Sequence, residues 1–152
     1  MASTEKPGEP PTPAATGATV DRTAARYLFA VATLSGDETR VATGDLREFL
    51  GVSPASVSEM ASKLDERGLL DHEKYAGVAL TERGQAAAQR VAWRYCVVER
   101  FFDAELGAPL DEQTAFDIGV ALPRPAVRRL RDLVSAPCLD RCPESDADRC
   151  VA

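Results

Sequence analysis

Long apolar runs are missing from this 152-residue chain. None approaches the roughly 20 residues that a membrane-spanning helix needs. The opening segment, "MASTEKPGEPPTPAATGA", has no basic start followed by an apolar stretch, so it does not read as a secretory signal. A cytoplasmic protein without membrane attachment is the expectation. Histidine is almost absent: His72 stands alone. With no nucleophile–base pair and no glycine-rich phosphate loop, neither an enzyme nor a small-molecule substrate is expected. Lysine is scarce, at 3 against 15 arginines, and a surplus of positive charge is missing, the formal net charge being −6. That balance counts against nucleic-acid binding unless local arrangement overrides it, because phosphate contacts need cations.

What is present is helical periodicity. Residues 1–19 are rich in Pro, Thr, Ala and Gly without any period, which predicts a disordered tail. From Val20 the pattern turns helical, and in "TAARYLFAVATL" Tyr27, Leu28, Val31 and Leu34 form one stripe. "VATGDLREFLGV" predicts a short helix with Thr43 as N-cap, Leu46 and Leu50 inside, and Gly51 as terminator. "VSPASVSEMASKLDERGLL" restarts at once: Ser53 caps, Pro54 suits the first turn, and Val57, Met60, Ala61 and Leu64 face inward until Gly68. Two short helices around a tight turn make a helix-turn-helix. "LLDHEKYAGVALT" then predicts a hairpin turning at Tyr75–Gly77, the wing of a winged helix. Thr81 caps a long helix ending at Gly107, and "DEQTAFDIGVAL" and "PAVRRLRDLVS" supply two more. The fold expected is mainly α: a winged helix-turn-helix over 20–81, a helical dimerisation domain over 82–136, and a cysteine-bearing tail over 137–152.

On the second helix of the motif, the side away from the apolar stripe carries Ser53, Pro54, Ala55, Ser56, Ser58, Glu59, Ser62 and Lys63. Short side chains near a helix N-terminus allow close approach to a major-groove floor, and serine hydroxyls and N-terminal amides bond phosphates. Glu59 would accept from a cytosine amine or repel phosphate. Residues 21–83 hold 8 Lys/Arg against 11 Asp/Glu. The phosphate contacts therefore fall to Arg40, Arg47, Lys63, Arg67, Lys74 and Arg83, with Lys74 and Tyr75 on the wing.

The stretch "DLREFLGVSPASVSEMASKLDERGLLDHEKYAGVALTERGQAAAQRVAWRYCVVERFF" resembles the diphtheria-toxin-repressor family of iron- and manganese-dependent repressors. "VSPASVSEM", "EKYAGVALTERG" and "RYCVVERFF" fall in the family's order and spacing. The resemblance runs from about Tyr27 to Glu105 and, more weakly, to about Val134. It implies a winged helix joined to a helical dimerisation domain, and a homodimer on a palindromic operator. It also implies a divalent-metal switch, whose ligand positions are mostly altered here. The acidic first-helix positions fall on Arg26 and Phe29, the long-helix histidine on Tyr95, and an acid–histidine pair on Asp117 and Ile118 with Thr114 before it. Only Glu99 and Asp117 remain as candidate ligands. Both have an alternative in ion pairs with Arg94, Arg100 or Arg124.

Four cysteines remain to be placed. Cys96 lies on the long helix, and Cys138, Cys142 and Cys150 follow a C-x3-C-x7-C pattern in the tail. In a reducing compartment, clustered thiols more often bind metal or sense redox state than form staples. One ligand on a rigid helix plus three on the tail suits an iron–sulfur cluster, [4Fe–4S] or [2Fe–2S]. A zinc site, a thiol–disulfide switch, and a reactive tail with Cys96 buried as a small hydrophobe compete with it. The expectation is a homodimeric transcriptional regulator, its affinity for double-stranded DNA set by such a cluster. The other readings are the same protein switched by zinc or a disulfide, and a redox or adaptor protein that does not touch DNA.

Overall fold

A computed structural model describes residues 20–36 and 40–134. The N-terminal segment and Cys138, Cys142 and Cys150 lie outside the described residues. Helix α1 (Arg22–Ser35) begins where the Asp21 carboxylate accepts from the Ala24 amide at 2.8 Å. Its sequence carries two apolar stripes rather than one. Ala24, Tyr27, Leu28 and Val31 enter one core, and Ala25 and Phe29 enter another. A helix buried on two sides is a central element, and here it joins the two halves of the molecule.

The first core belongs to the winged helix. Helix α2 (Thr43–Leu50) and helix α3 (Pro54–Glu66) are separated by a turn in which Gly51 takes the left-handed conformation, φ 66°. The N-cap of α2 is Ala42, with no side-chain hydrogen bond, so Thr43 is the first helical residue and not the expected cap. The chain reaches α2 directly from Val41, whose backbone is bridged to Val78, and this fixes Ala42 at the entry. Val57, Ala61 and Leu64 of α3 are buried against Leu46 and the α1 stripe, while Met60 is half-buried at its margin.

Strands β1 (Leu70–Glu73) and β2 (Gly77–Leu80) pair antiparallel with Leu70 opposite Leu80 and Glu73 opposite Gly77. Val41 adds a short third edge, exchanging 2.8 and 2.9 Å backbone hydrogen bonds with Val78. The wing runs straight into helix α4 (Glu82–Arg100) through Thr81. The Thr81 hydroxyl donates to the Gly68 carbonyl at 2.6 Å and accepts from the Gly84 amide at 3.0 Å. The first turn of α4 therefore sits hard against the end of α3.

The second core is helical. α4 is buried along most of its length, from Ala87 to Val98, and ends in a π-helical turn, Phe101–Glu105. Helix α5 (Glu112–Ala121) crosses it closely at Gly119, and helix α6 (Arg124–Leu133) packs Val127 against Trp93 and Val97. Asp111 caps α5, and hydrogen bonds from the Thr114 hydroxyl and amide hold its carboxyl below the ordinary carboxylate range. The Arg94 guanidinium fastens the far end of α5, donating to the carbonyls of Gly119 at 3.2 Å and Leu122 at 2.6 Å. Among the described residues, no helix is long and apolar enough to cross a membrane.

Candidate nucleic-acid interface

The turn before α3 has no freedom to wander. Ser53 caps the helix by accepting from the Ser56 amide at 3.1 Å, its hydroxyl lies 2.9 Å from that of Ser56, and Pro54 fills the first turn. Opposite the buried stripe, Ser53, Pro54, Ala55, Ser56, Ser58, Glu59, Ser62 and Lys63 are all exposed. The start of α3 thus presents small side chains and helix-end amides on an open surface, the form that a groove or a phosphate accepts. Farther along, Lys63 pairs with Glu59 one turn back at 3.0 Å, and both remain largely exposed. Arg47 on α2 is also exposed.

The wing offers a second projection. Tyr75 is 97% exposed and has φ 68°, a conformation that aromatic residues rarely adopt. The ammonium of Lys74 lies 5.4 Å from the Tyr75 ring centroid, so cation and ring stand together at the tip. Arg40 is placed otherwise. Its guanidinium pairs with Asp71 and, at 3.1 Å, with Glu73, and donates to the Gly77 carbonyl at 3.2 Å. Arg40 fastens the base of the wing; its charge is answered there by two carboxylates. Nothing in the sequence near Arg40 signals partners more than thirty positions away.

The positions that the resemblance marks as metal ligands do converge, but with the wrong chemistry. Phe29 meets Tyr95 at 5.2 Å and Phe116 at 5.5 Å between ring centroids. The Tyr95 hydroxyl donates to Glu99 at 3.2 Å. Asp117 pairs with Arg22 at 2.7 Å and accepts from Gln113 at 2.9 Å. Asp117 therefore does pair with an arginine, Arg22 on α1, which is none of the expected Arg94, Arg100 and Arg124. Among the described residues, no three His, Cys, Asp or Glu side chains are grouped so as to hold a metal ion.

Cys96 is 2% exposed on α4 and is disulfide-bonded.

The sequence model described as iron dependent repressor, N-terminal DNA binding domain, matches residues 19–78. The transcriptional regulator MntR of Geobacillus thermodenitrificans (strain NG80-2) is 35% identical over 75 residues, covering 49% of this chain and 53% of the relative. The chain spans about half the length of the curated relatives it matches. A manganese-dependent transcriptional repressor solved with manganese is 30% identical with a TM-score of 0.67, covering 80% of this chain and 59% of that one. ScaR with bound Zn2+ is 26% identical with a TM-score of 0.63, covering 81% and 57%. The solved neighbours are described with manganese or with bound Zn2+ and not with an iron–sulfur cluster, which overturns the iron–sulfur expectation placed on Cys96, Cys138, Cys142 and Cys150. The matched DNA-binding domain, the regulator relatives and the solved neighbours support the resemblance to the diphtheria-toxin-repressor family.

Proposed function

We propose that this chain is a DNA-binding transcriptional regulator within a family of metal-dependent repressors, working as a homodimer on a palindromic site. The observation that supports it most is the open, small-residue N-terminus of α3, held by the Ser53–Pro54 cap inside the matched domain. In this reading α3 enters the major groove, with Ser53, Pro54, Ala55, Ser56 and Ser58 against bases and phosphates. Glu59 faces a cytosine amine, and Arg47, Lys63 and Lys74 neutralise phosphates. Tyr75 rests its ring on the backbone at the wing tip. Arg40 acts indirectly, by setting the angle of the wing through Asp71 and Glu73. The helical half joins two copies, so that the two α3 helices meet successive major grooves about 34 Å apart. The protein is a binder and catalyses nothing in this role.

Selection from a random duplex library tests this. The expected winner is an inverted repeat whose half-site centres lie about 10 base pairs apart, or a multiple of that. Failure to enrich any sequence, with the protein folded and dimeric, overturns the DNA reading in favour of an adaptor.

A further inference from the structure

Arg26 of helix α1 belongs to neither of its apolar stripes. It lies between them, at the seam where the winged helix meets the helical half. Its guanidinium carbon is 5.9 Å from the ring centroid of Phe49 on α2 and 5.1 Å from that of Phe116 on α5. Both lie within the range over which a ring face attracts a cation. Nη1 is 3.6 Å from the Glu112 carboxylate on α5, and it is buried without a hydrogen bond. The side chain is only 20% exposed. An arginine cannot shed its charge in a protein, so a permanent cation is enclosed between three helices of the two halves. One turn earlier Arg22 makes a second tie to α5, through Asp117.

This cation occupies one of the positions at which the family resemblance expects an acidic metal ligand. Its neighbours there, Phe29 and Tyr95, present rings to one another. A ring offers a divalent ion no lone pair, and a guanidinium repels it. The two carboxylates that survive are engaged, Glu99 with Tyr95 and Asp117 with Arg22. The donor set of this junction does not fit a divalent ion.

We propose that Arg26 is a tethered cation that fastens the helix-turn-helix to α5, so that DNA binding by this chain needs no divalent metal at the junction. Arg26 is a positioning residue: it touches Phe49 behind the recognition surface and not DNA. The inference rests on the DNA-binding reading for its consequence but not for its cause, and the two are separated by experiment.

The whole chain is dialysed against chelator, and its thermal midpoint is read with and without excess Mn2+ or anaerobic Fe2+. The expected shift is below about 1 °C; ligand at roughly a hundredfold excess over its dissociation constant raises a midpoint by several degrees. A shift of that size, abolished by Glu99→Gln or Asp117→Asn, overturns the proposal whether or not DNA is bound. Affinity for the selected duplex is then compared in chelator and in Mn2+. Agreement within about twofold is expected, and a tenfold or larger gain with metal overturns it.

Arg26→Met should weaken duplex binding about tenfold or more, and Arg26→Lys, which keeps the charge, should recover most of the loss. If Arg26→Met does not fold, Glu112→Gln at the 43% exposed partner reads the same tie. Wild-type affinity in Arg26→Met, or in Glu112→Gln where that stands in, overturns the positioning role. A chain that binds no duplex at all refutes the DNA reading instead, and the metal question is still decided by the thermal midpoint.

Discussion

Ser56→Glu is expected to cost at least about 100-fold in affinity for the selected duplex, near 2.7 kcal/mol, while leaving the protein as stable as before or slightly more so. The two effects separate because of where Ser56 sits. It is the third residue of α3 after its Ser53 cap, fully on the open side. A glutamate there completes the Ser-x-x-Glu reciprocal cap and meets the positive end of the helix dipole, gains of about 0.3–1 kcal/mol. The same carboxylate faces the phosphates that this surface is argued to approach, and opposed like charges across an interface cost several kcal/mol. Anisotropy titration and thermal unfolding of one variant give both numbers. Affinity within roughly threefold of wild type would mean that the start of α3 does not face DNA.

Gly84→Ala is expected to lower the thermal midpoint by about 10 °C or more, or to prevent folding. A Cβ at this position would lie 1.8 Å from the Leu69 carbonyl oxygen and 2.8 Å from its carbon. Those are backbone atoms, so no side chain can swing aside. The Leu69 carbonyl also accepts from the Thr81 amide at 3.2 Å, and Thr81 ties to Gly68. Moving α4 off Leu69 therefore breaks the junction between the wing and the long helix. Losses of 4–5 kcal/mol or more are rare for one substitution, and this is a geometry that produces them. Gly44→Ala is the control. It lies in exposed helix with nothing within 4 Å of a new Cβ, and it should gain about 0.5–1 kcal/mol. If both variants melt like wild type, the packing of α4 on the wing is not as described.

Helix α3 was legible in the sequence because its signals are local. Ser53 before Pro54, the left-handed Gly51 and the Val57–Leu64 stripe all act within one or two turns. The hairpin and the Thr81 cap were legible for the same reason. Thr43 misled because Ala42 is held from outside its own helix, by the bridge between Val41 and Val78. Helix α1 showed only the Tyr27–Val31 stripe. Its second face, Ala25 and Phe29, is buried against α4 and α5 far along the chain.

The candidate site divides in the same way. The exposed face of α3 follows from helical spacing alone. The tasks of Arg40 and Arg26 depend on carboxylates and rings brought together only by the tertiary fold. The cysteine spacing does not define a cofactor, because a count of four sulfurs says nothing of their bonding. Cys96 is buried on α4 and already in a disulfide.

The most direct measurement of the central claim is the affinity of the wild-type chain for its selected duplex as a function of salt. Arg47, Lys63 and Lys74 on each of two copies would displace counterions from about six phosphates. That predicts a fall of about 1,000-fold between 50 and 200 mM salt, despite a formal net charge of −6. An affinity that does not change over that range would contradict the account, because a winged helix seated in a DNA groove cannot avoid those phosphates.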